Sequence, residues 1–459
     1  MRPASLREVA RAMGSDLHNT GEHVEVRGVA TDSRLVREGD LFFALHGRSD
    51  GADYANEALS KGAAAVVASR PLAGATLVVE DPLAALQDLA RWSLRRLESE
   101  SPTVVGITGS IGKTTTKDAL AAVLRSGGTR VSATLGNLNN EIGLPLTVLA
   151  APTNTEVLVL EMGADHVGNI AELCRIAPPR HGILTAIAPA HLESFGSLEA
   201  LAATKGELAA SLPPDGSLVS PAGVPESAIA PGRDLARRIV FSAEEAATAA
   251  LWASDFDEDE DGLHFTVHMR ERRAAARAPV FGTHLVEPLL AATGGALALG
   301  MDLEDAAKGL ARLKRTGMRG DVYRLRDDVL VYDDSYNAAS PPSMAAVLRY
   351  AAGAAGRQGR RLVVVLGGMF ELGPGARAYH REIGEIADGL GVGLLACVGD
   401  EARWYAETFT GKTLHYPDAG SAVAISEHLR PGDYLIVKGS RGVGLDTLTR
   451  QLRESLALV

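Results

Sequence analysis

Cysteine is almost absent from this chain: two in 459 residues, Cys174 and Cys397, far apart in sequence. A disulfide-stapled fold is therefore excluded, and two reduced thiols in apolar or helical surroundings suit a cytoplasmic protein. Aromatic residues make up only 5% of the chain, too few for a series of base-stacking platforms, and the net charge of −11 argues against a general nucleic-acid binder. No apolar run reaches the length of a membrane span. The first ten residues read as the start of an amphipathic helix, with no signal segment. Internal repeats and low-complexity tracts are also missing. What remains is an ordinary globular composition, 46% hydrophobic and 22% charged, long enough for about three domains and suited to a small-molecule partner.

The stretch with the clearest chemistry is Thr103–Lys117. A β-branched run enters Thr108-Gly109-Ser110-Ile111-Gly112-Lys113-Thr114-Thr115, and a helix is expected from about Lys117 to Arg125. Strand, glycine turn and helix start are the context of a phosphate-binding loop, in which backbone N–H groups and the helix dipole receive phosphate oxygens. Lys113 would reach the outer phosphates of a nucleotide and the Thr114 hydroxyl would ligate Mg²⁺. The common spacing needs glycine at 107, where this chain has Ile107; Gly109 supplies a shorter form.

The pattern divides the chain in three. Residues 1–100 alternate short strands and helices and end in the polar linker Glu98-Ser99-Glu100-Ser101-Pro102. Residues 101–316 alternate buried strands with helices, the mark of a parallel sheet covered on both faces. Residues 317–459 repeat that pattern over a length suited to a second nucleotide-binding-type fold. The predicted class is α/β: a smaller N-terminal domain, a central phosphate-loop ATPase domain and a Rossmann-like C-terminal domain. The acidic run Asp255–Gly262 lacks calcium-loop spacing, sits between two predicted strands and reads as a solvated hairpin turn.

Glu161 and His191 fall just past the ends of predicted strands, on the rim onto which the phosphate loop opens. A glutamate there suits a Mg²⁺ carboxylate better than a structural salt bridge. His191 alone carries little weight. Lys205, on a predicted helix over Ser197–Leu212, reads on its own as a solvated helix lysine, because a second lysine beside a metal is electrostatically unfavourable.

The loop together with Gly136-Asn137-Leu138-Asn139-Asn140-Glu141-Ile142-Gly143, Ala190-His191-Leu192-Glu193, Thr204-Lys205-Gly206-Glu207, Thr316-Gly317-Met318-Arg319, Asp333-Asp334-Ser335-Tyr336-Asn337-Ala338, Gly368-Met369-Phe370-Glu371 and Val437-Lys438-Gly439-Ser440-Arg441 resembles the Mur ligase family over nearly the whole chain. The strings at 137–143 and 334–338 are similar to those of the branch that adds D-alanyl-D-alanine to UDP-N-acetylmuramoyl-tripeptide in peptidoglycan precursor synthesis. The resemblance implies an ATP-dependent amide ligase working through an acyl phosphate, with two Mg²⁺ ions and no membrane insertion; a monomer is expected. It implies that the Lys205 position is carbamylated, which turns a cation into an anion and removes the electrostatic objection. Thr114 and Glu161 would then serve one Mg²⁺, and His191 with Lys205 the other. The first domain would hold the UDP end, with Ser33 and Arg34 of the loop Thr31–Arg34 beside uridine. Asn137 and Asn139 would lie along the substrate path. Asp334, Tyr336 and Asn337 would face ATP or the dipeptide, and Arg319 and Lys438 phosphate or the transferred group. Thr316–Gly320 is the expected hinge.

The chain departs from the family at three points. His284-Leu285-Val286-Glu287-Pro288 lacks two asparagines that contact adenine, Tyr336-Asn337-Ala338-Ala339-Ser340-Pro341 has an extra residue, and Gly367-Gly368-Met369 lacks an aspartate. Competing readings of the same loop are a phosphate-loop kinase or nucleotide switch, a folyl-polyglutamate-type ligase, and a silent binding protein on a ligase scaffold.

Overall fold

A computed structural model describes residues 1–47, 49–97, 102–189, 192–229, 235–314, 320–335 and 340–456. His191, Arg319, Tyr336, Asn337 and all but Gly320 of the expected hinge lie outside them.

Among the described residues three large sheets follow one another along the chain, of five, nine and six strands. In the first, Gly28–Ala30, Asp40–Phe43, Ala65–Ala68 and Thr76–Val78 run parallel, and Asp16–His18 closes one edge antiparallel. The segment that alternates like one strand from Val24 is two, Glu25–Val26 and Gly28–Ala30, belonging to different sheets. The helix Pro82–Arg95 is capped by Asp81, which accepts from Leu83 N–H at 2.8 Å, and has proline in its first turn. It packs on the helix Gly143–Ala150 of the central region. One hydrophobic cluster therefore runs from Leu6 and Leu86 through Leu144 to Leu158 and Leu160, fixing the first sheet against the second.

The central sheet carries the site. Its parallel part has the order Val131–Ala133, Val157–Glu161, Thr103–Thr108, His181–Leu184, Ser217–Pro221, Arg237–Ser242 and Leu251–Asp259. The antiparallel strands Gly262–Met269 and Arg272–Ala278 complete it. The loop strand Thr103–Thr108 is buried from Val104 onward, as a near-continuous apolar run in a sheet covered on both faces must be. Because neighbours on both sides are parallel, their C-terminal ends share one rim.

The six-stranded sheet has the order Asp321–Arg324, Leu330–Asp334, Tyr434–Lys438, Leu362–Gly367, Leu394–Val398 and Thr413–Tyr416, parallel except at its first edge. Separate hydrophobic clusters cover its two faces, one including Tyr332, Met344 and Ile436 and the other Val331, Val363 and Leu448. No helix among the described residues is long and apolar enough to cross a membrane.

Two sequence expectations need correction. The loop helix begins at Lys113, not Lys117, and runs to Ser126, because Gly112 is already its N-cap. The acidic run does form an exposed hairpin, but its turn is confined to Glu260–Asp261: Asp255–Asp259 continue the strand Leu251–Asp259, with an irregularity after Ser254. Glu258 faces inward, accepting from Gly282 N–H and from Tyr350 Oη, each at 2.8 Å. Tyr350 sits on Pro341–Arg357, a helix against the third sheet, so a residue expected in solvent ties two of the sheets together.

Candidate active site

The phosphate loop takes its shape from two glycines. Gly109 has φ +145°, and a Cβ there would collide with Thr185 Oγ1 and the Ala186 backbone. Gly112 has φ +84°, and a Cβ there would come within 3.0 Å of Pro288 Cγ. Both values belong to the region that glycine enters without cost. Ile107, which stands where the common spacing has glycine, is fully buried inside the strand. The turn thus begins two residues later than in the longer loop.

Hydrogen bonds from the segment that follows the strand His181–Leu184 hold the loop. Thr185 Oγ1 donates to Ile111 O at 2.5 Å, Ser110 N–H to Ala186 O at 2.7 Å, and Ala188 N–H to Ser110 Oγ at 3.1 Å. Lys113 Nζ lies over the turn, donating to Gly109 O at 2.7 Å and Ser110 O at 3.2 Å. Those carbonyls hold the ammonium at the mouth of the loop, where an outer phosphate would receive it.

Glu161 is the last residue of Val157–Glu161, on the rim beside the loop rather than beyond the strand. It is 3% exposed, and both carboxylate oxygens are engaged: Oε2 accepts from Thr114 Oγ1 at 2.9 Å and Oε1 from Asn139 Nδ2 at 2.8 Å. Its backbone N–H donates to Thr134 Oγ1 at 2.9 Å. The resemblance joins Thr114 to Glu161 through one Mg²⁺ and sets Asn139 on the substrate path; the fold ties all three together by hydrogen bonds.

Lys205 corrects the solvated-lysine reading. It is 3% exposed, with Nζ 5.8 Å from the Phe195 ring centroid and no hydrogen-bond partner among the described residues. Burial, with the Lys113 charge adding to it, brings its pKa down to about 7, against the pull of Glu207 and Asp165. A helical lysine looks solvated in sequence, and only the packing of Leu198–Ser211 against the sheet reveals otherwise.

Two cavities meet at the loop. The smaller, about 260 Å³, is bordered by Lys113, Lys205, Asn140, Asp165 and Asn169. The larger, about 830 Å³, runs from Thr114, Asn137 and Glu161 across to Asp334, Lys438 and Phe370 of the third sheet region. Ser110, Lys113 and Asn139 line both. Asp334 and Lys438, on adjacent strands, form a buried pair at 2.6 Å. Near them His284 Nε2 lies 3.3 Å from Tyr332 Oη, and burial lowers its pKa to about 4, so the ring is neutral at neutral pH.

Ser33 and Arg34 border neither cavity. Ser33 Oγ donates to Glu57 Oε2 at 2.6 Å, and Arg34 forks onto Asp32, whose carboxyl it holds down at about 2. Asn169, Phe370 and Glu371 border the cavities but received no role from the sequence. Phe370 and Glu371 stand in one of the strings that carry the resemblance; Asn169, in an ordinary Gly-Asn-Ile helix start, gives no such signal.

This arrangement has known counterparts. The UDP-N-acetylmuramoyl-tripeptide–D-alanyl-D-alanine ligase of Bacillus subtilis is 35% identical over 453 residues, covering 95% of this chain and 94% of that protein. The chain belongs to the Mur ligase family. It matches the Mur ligase catalytic domain over residues 25–91, the Mur ligase middle domain over 107–296 and the glutamate ligase domain over 318–441. The ligase of the same name from Escherichia coli is 32% identical, with 95% of each chain covered. Among solved structures, a MurF from Acinetobacter baumannii superposes with a TM-score of 0.87 at 28% identity over 99% of both chains. A MurF ligase from Thermotoga maritima in complex with ADP gives 0.81 at 30% identity, over 94% of this chain and 97% of that one. The three-part α/β architecture is that of these Mur ligases.

Proposed function

We infer that this chain is an ATP-dependent, ADP-forming ligase that joins D-alanyl-D-alanine to UDP-N-acetylmuramoyl-tripeptide, giving UDP-N-acetylmuramoyl-pentapeptide for peptidoglycan synthesis. The observation that carries this reading is the meeting of two cavities at Ser110, Lys113 and Asn139. A triphosphate on the loop and a peptide carboxylate in the smaller cavity would face each other across those side chains. A nucleotide switch has no need of a second cavity ending on Lys205; a kinase would also seat an acceptor beside the loop, and against it stand the named relatives. The named relatives support the choice of substrates.

In this reading a carboxylate oxygen of the tripeptide attacks the γ-phosphorus of ATP, and the bond from phosphorus to the ADP oxygen breaks. The amine of the dipeptide then attacks the acyl carbon, the carbon–oxygen bond to phosphate breaks, and the amine proton passes to solvent. Carboxylate and triphosphate repel each other, so Lys113 serves by neutralising the phosphate end where they meet. Water must be kept out, because it would otherwise hydrolyse the acyl phosphate, and closure of residues 317–459 over the nucleotide would exclude it.

Thr114 and Glu161 suit Mg²⁺. Hydroxyl and carboxylate oxygens are hard donors, and an ion that retains waters and phosphate oxygens needs only one or two protein ligands. When bound there it supplies charge neutralisation to the phosphates. No cluster of three His, Cys, Asp or Glu exists among the described residues to suggest a different metal. For the second ion, which the resemblance assigns to His191 and Lys205, Lys205 fits only as a carbamate. A buried amine whose pKa is about 7 is substantially neutral near pH 7, and its nitrogen can add to CO₂ with loss of a proton.

The division of labour follows the same lines. Residues 1–100 would bind the UDP end, residues 101–316 ATP, and residues 317–459 the dipeptide while closing over the nucleotide, with the chain acting as a monomer in the cytoplasm. Asn137, Asp334 and Lys438 fit contacts in the larger cavity, which all three border. Phosphate release tests the reading: it should require ATP, UDP-N-acetylmuramoyl-tripeptide and D-alanyl-D-alanine together. Phosphate released at full rate without the tripeptide would overturn it.

A further inference from the structure

Asn169 opens the helix Asn169–Ile176 and is 2% exposed. Its Oδ1 accepts from Asp165 N–H at 3.3 Å. That bond fixes the orientation of the amide, since a flipped amide would set donor against donor. Nδ2 is consequently the other end, and it is buried with no hydrogen-bond partner among the described residues. The helix start itself does not need it: Glu207 already accepts from Gly168 N–H at 2.8 Å and Ala171 N–H at 2.9 Å. An amide donor left unpaired in the interior is costly, so its retention calls for a functional account.

The smaller cavity gives one. Asn169 borders it together with Lys113 and Lys205, whose side chains approach from the loop and from Leu198–Ser211. The Lys113 ammonium makes this space attractive to anions despite Asp165 on its border, and an amide N–H donates well to a carboxylate oxygen. We propose that Asn169 is a positioning residue whose Nδ2 donates to a carboxylate-type oxygen held in this cavity between Lys113 and Lys205. Two sources supply that chemistry: the carboxylate terminus of the peptide substrate, and a carbamate formed by the Lys205 amine and CO₂ with release of a proton. The inference rests on the ligase reading above and adds a residue that neither the motif strings nor the relatives' names assign.

The test uses the full chain with two substitutions. Asn169→Asp keeps an oxygen for Asp165 N–H but replaces the donor by an anion; Asn169→Ala removes both. Michaelis constants for ATP and UDP-N-acetylmuramoyl-tripeptide are measured with turnover, tripeptide binding without ATP by calorimetry, and the carbamate by carbon-13 NMR in labelled bicarbonate. The expected result for Asn169→Asp is a loss of about 10- to 100-fold with the ATP constant and the thermal midpoint unchanged. The loss falls on tripeptide affinity if the peptide is the source, and on the carbamate signal and kcat if Lys205 is. Wild-type values of both readouts in both variants overturn the proposal. So does a loss shared equally by ATP affinity and thermal midpoint, which marks a purely structural residue. A wild-type chain that releases no phosphate with all substrates present overturns the ligase reading and this inference with it, whereas a competent wild type with unaltered variants overturns the inference alone.

Discussion

Thr114 Oγ1 donates to Glu161 Oε2 at 2.9 Å, linking the first turn of the loop helix to the end of the adjacent parallel strand. The same carboxylate accepts from Asn139 through its other oxygen, so its orientation is set from both sides. A magnesium ion bound between Thr114 and Glu161 would meet a carboxylate already aimed, with little reorganisation left to do.

Asn139→Ala leaves both proposed ligands in place and removes the amide that orients Glu161. The Mg²⁺ concentration for half-maximal turnover should rise by about 10- to 100-fold, the usual cost of losing a group that orients a metal ligand. A magnesium titration of phosphate release checks it; an unshifted midpoint would mean that Asn139 acts elsewhere.

Gly109→Ala should abolish nucleotide binding and lower stability by about 1–3 kcal/mol. The new Cβ meets Thr185 Oγ1 and the Ala186 backbone, while φ +145° is itself strained for any other residue. Thermal unfolding and ADP titration report the two effects separately. An alanine variant that binds ADP normally would contradict the loop geometry.

Lys205 imposes a pH dependence on stability. Its folded pKa of about 7 lies below the unfolded value, so between about pH 7 and 10 the unfolded chain binds the extra proton. This contribution therefore raises stability as pH rises through that window, and is lost on acidification toward pH 7. In buffer free of CO₂, Lys205→Met should remove that part of the slope in thermal midpoint. Equal slopes in the two proteins would place the lysine in solvent. Ligation at a near-normal rate by Lys205→Ala, without added carboxylates, would separately defeat the carbamate assignment.

Glu258 and Tyr350 join two sheets by one hydrogen bond to a charged acceptor. A double-mutant cycle with Glu258→Gln and Tyr350→Phe should give a coupling of about 0.5–3 kcal/mol in unfolding free energy. Additive effects would indicate that the contact has no energetic weight.

The legible parts of this protein were those written locally. The loop, its hydroxyl and the glutamate on the rim follow from a strand, a glycine turn and a helix start in sequence order. The family strings named Lys205, although its residue type alone suggested solvent. Contacts between distant segments were not legible. Nothing near Asp255–Asp261 announces that Glu258 meets Tyr350, 92 positions away, and acidic residues in a row look like a turn. Asn169 was equally silent, because its significance lies in the partner its amide lacks. Ser33 and Arg34 are a further case: their pairing with Glu57 and Asp32 is fixed by the fold, and the loop string announces no bond from Ser33 to a residue 24 positions away.

The three side chains shared by the two cavities mark the passage between them. On the reading proposed above, the triphosphate and the departing ADP belong to the larger chamber and the peptide to the smaller one. The dipeptide amine, coming from the third-sheet side, must reach the acyl carbon past Ser110, Lys113 and Asn139. Those three side chains therefore have to leave a path wide enough for an amine, and a bulkier residue at any of them would part the two reactants.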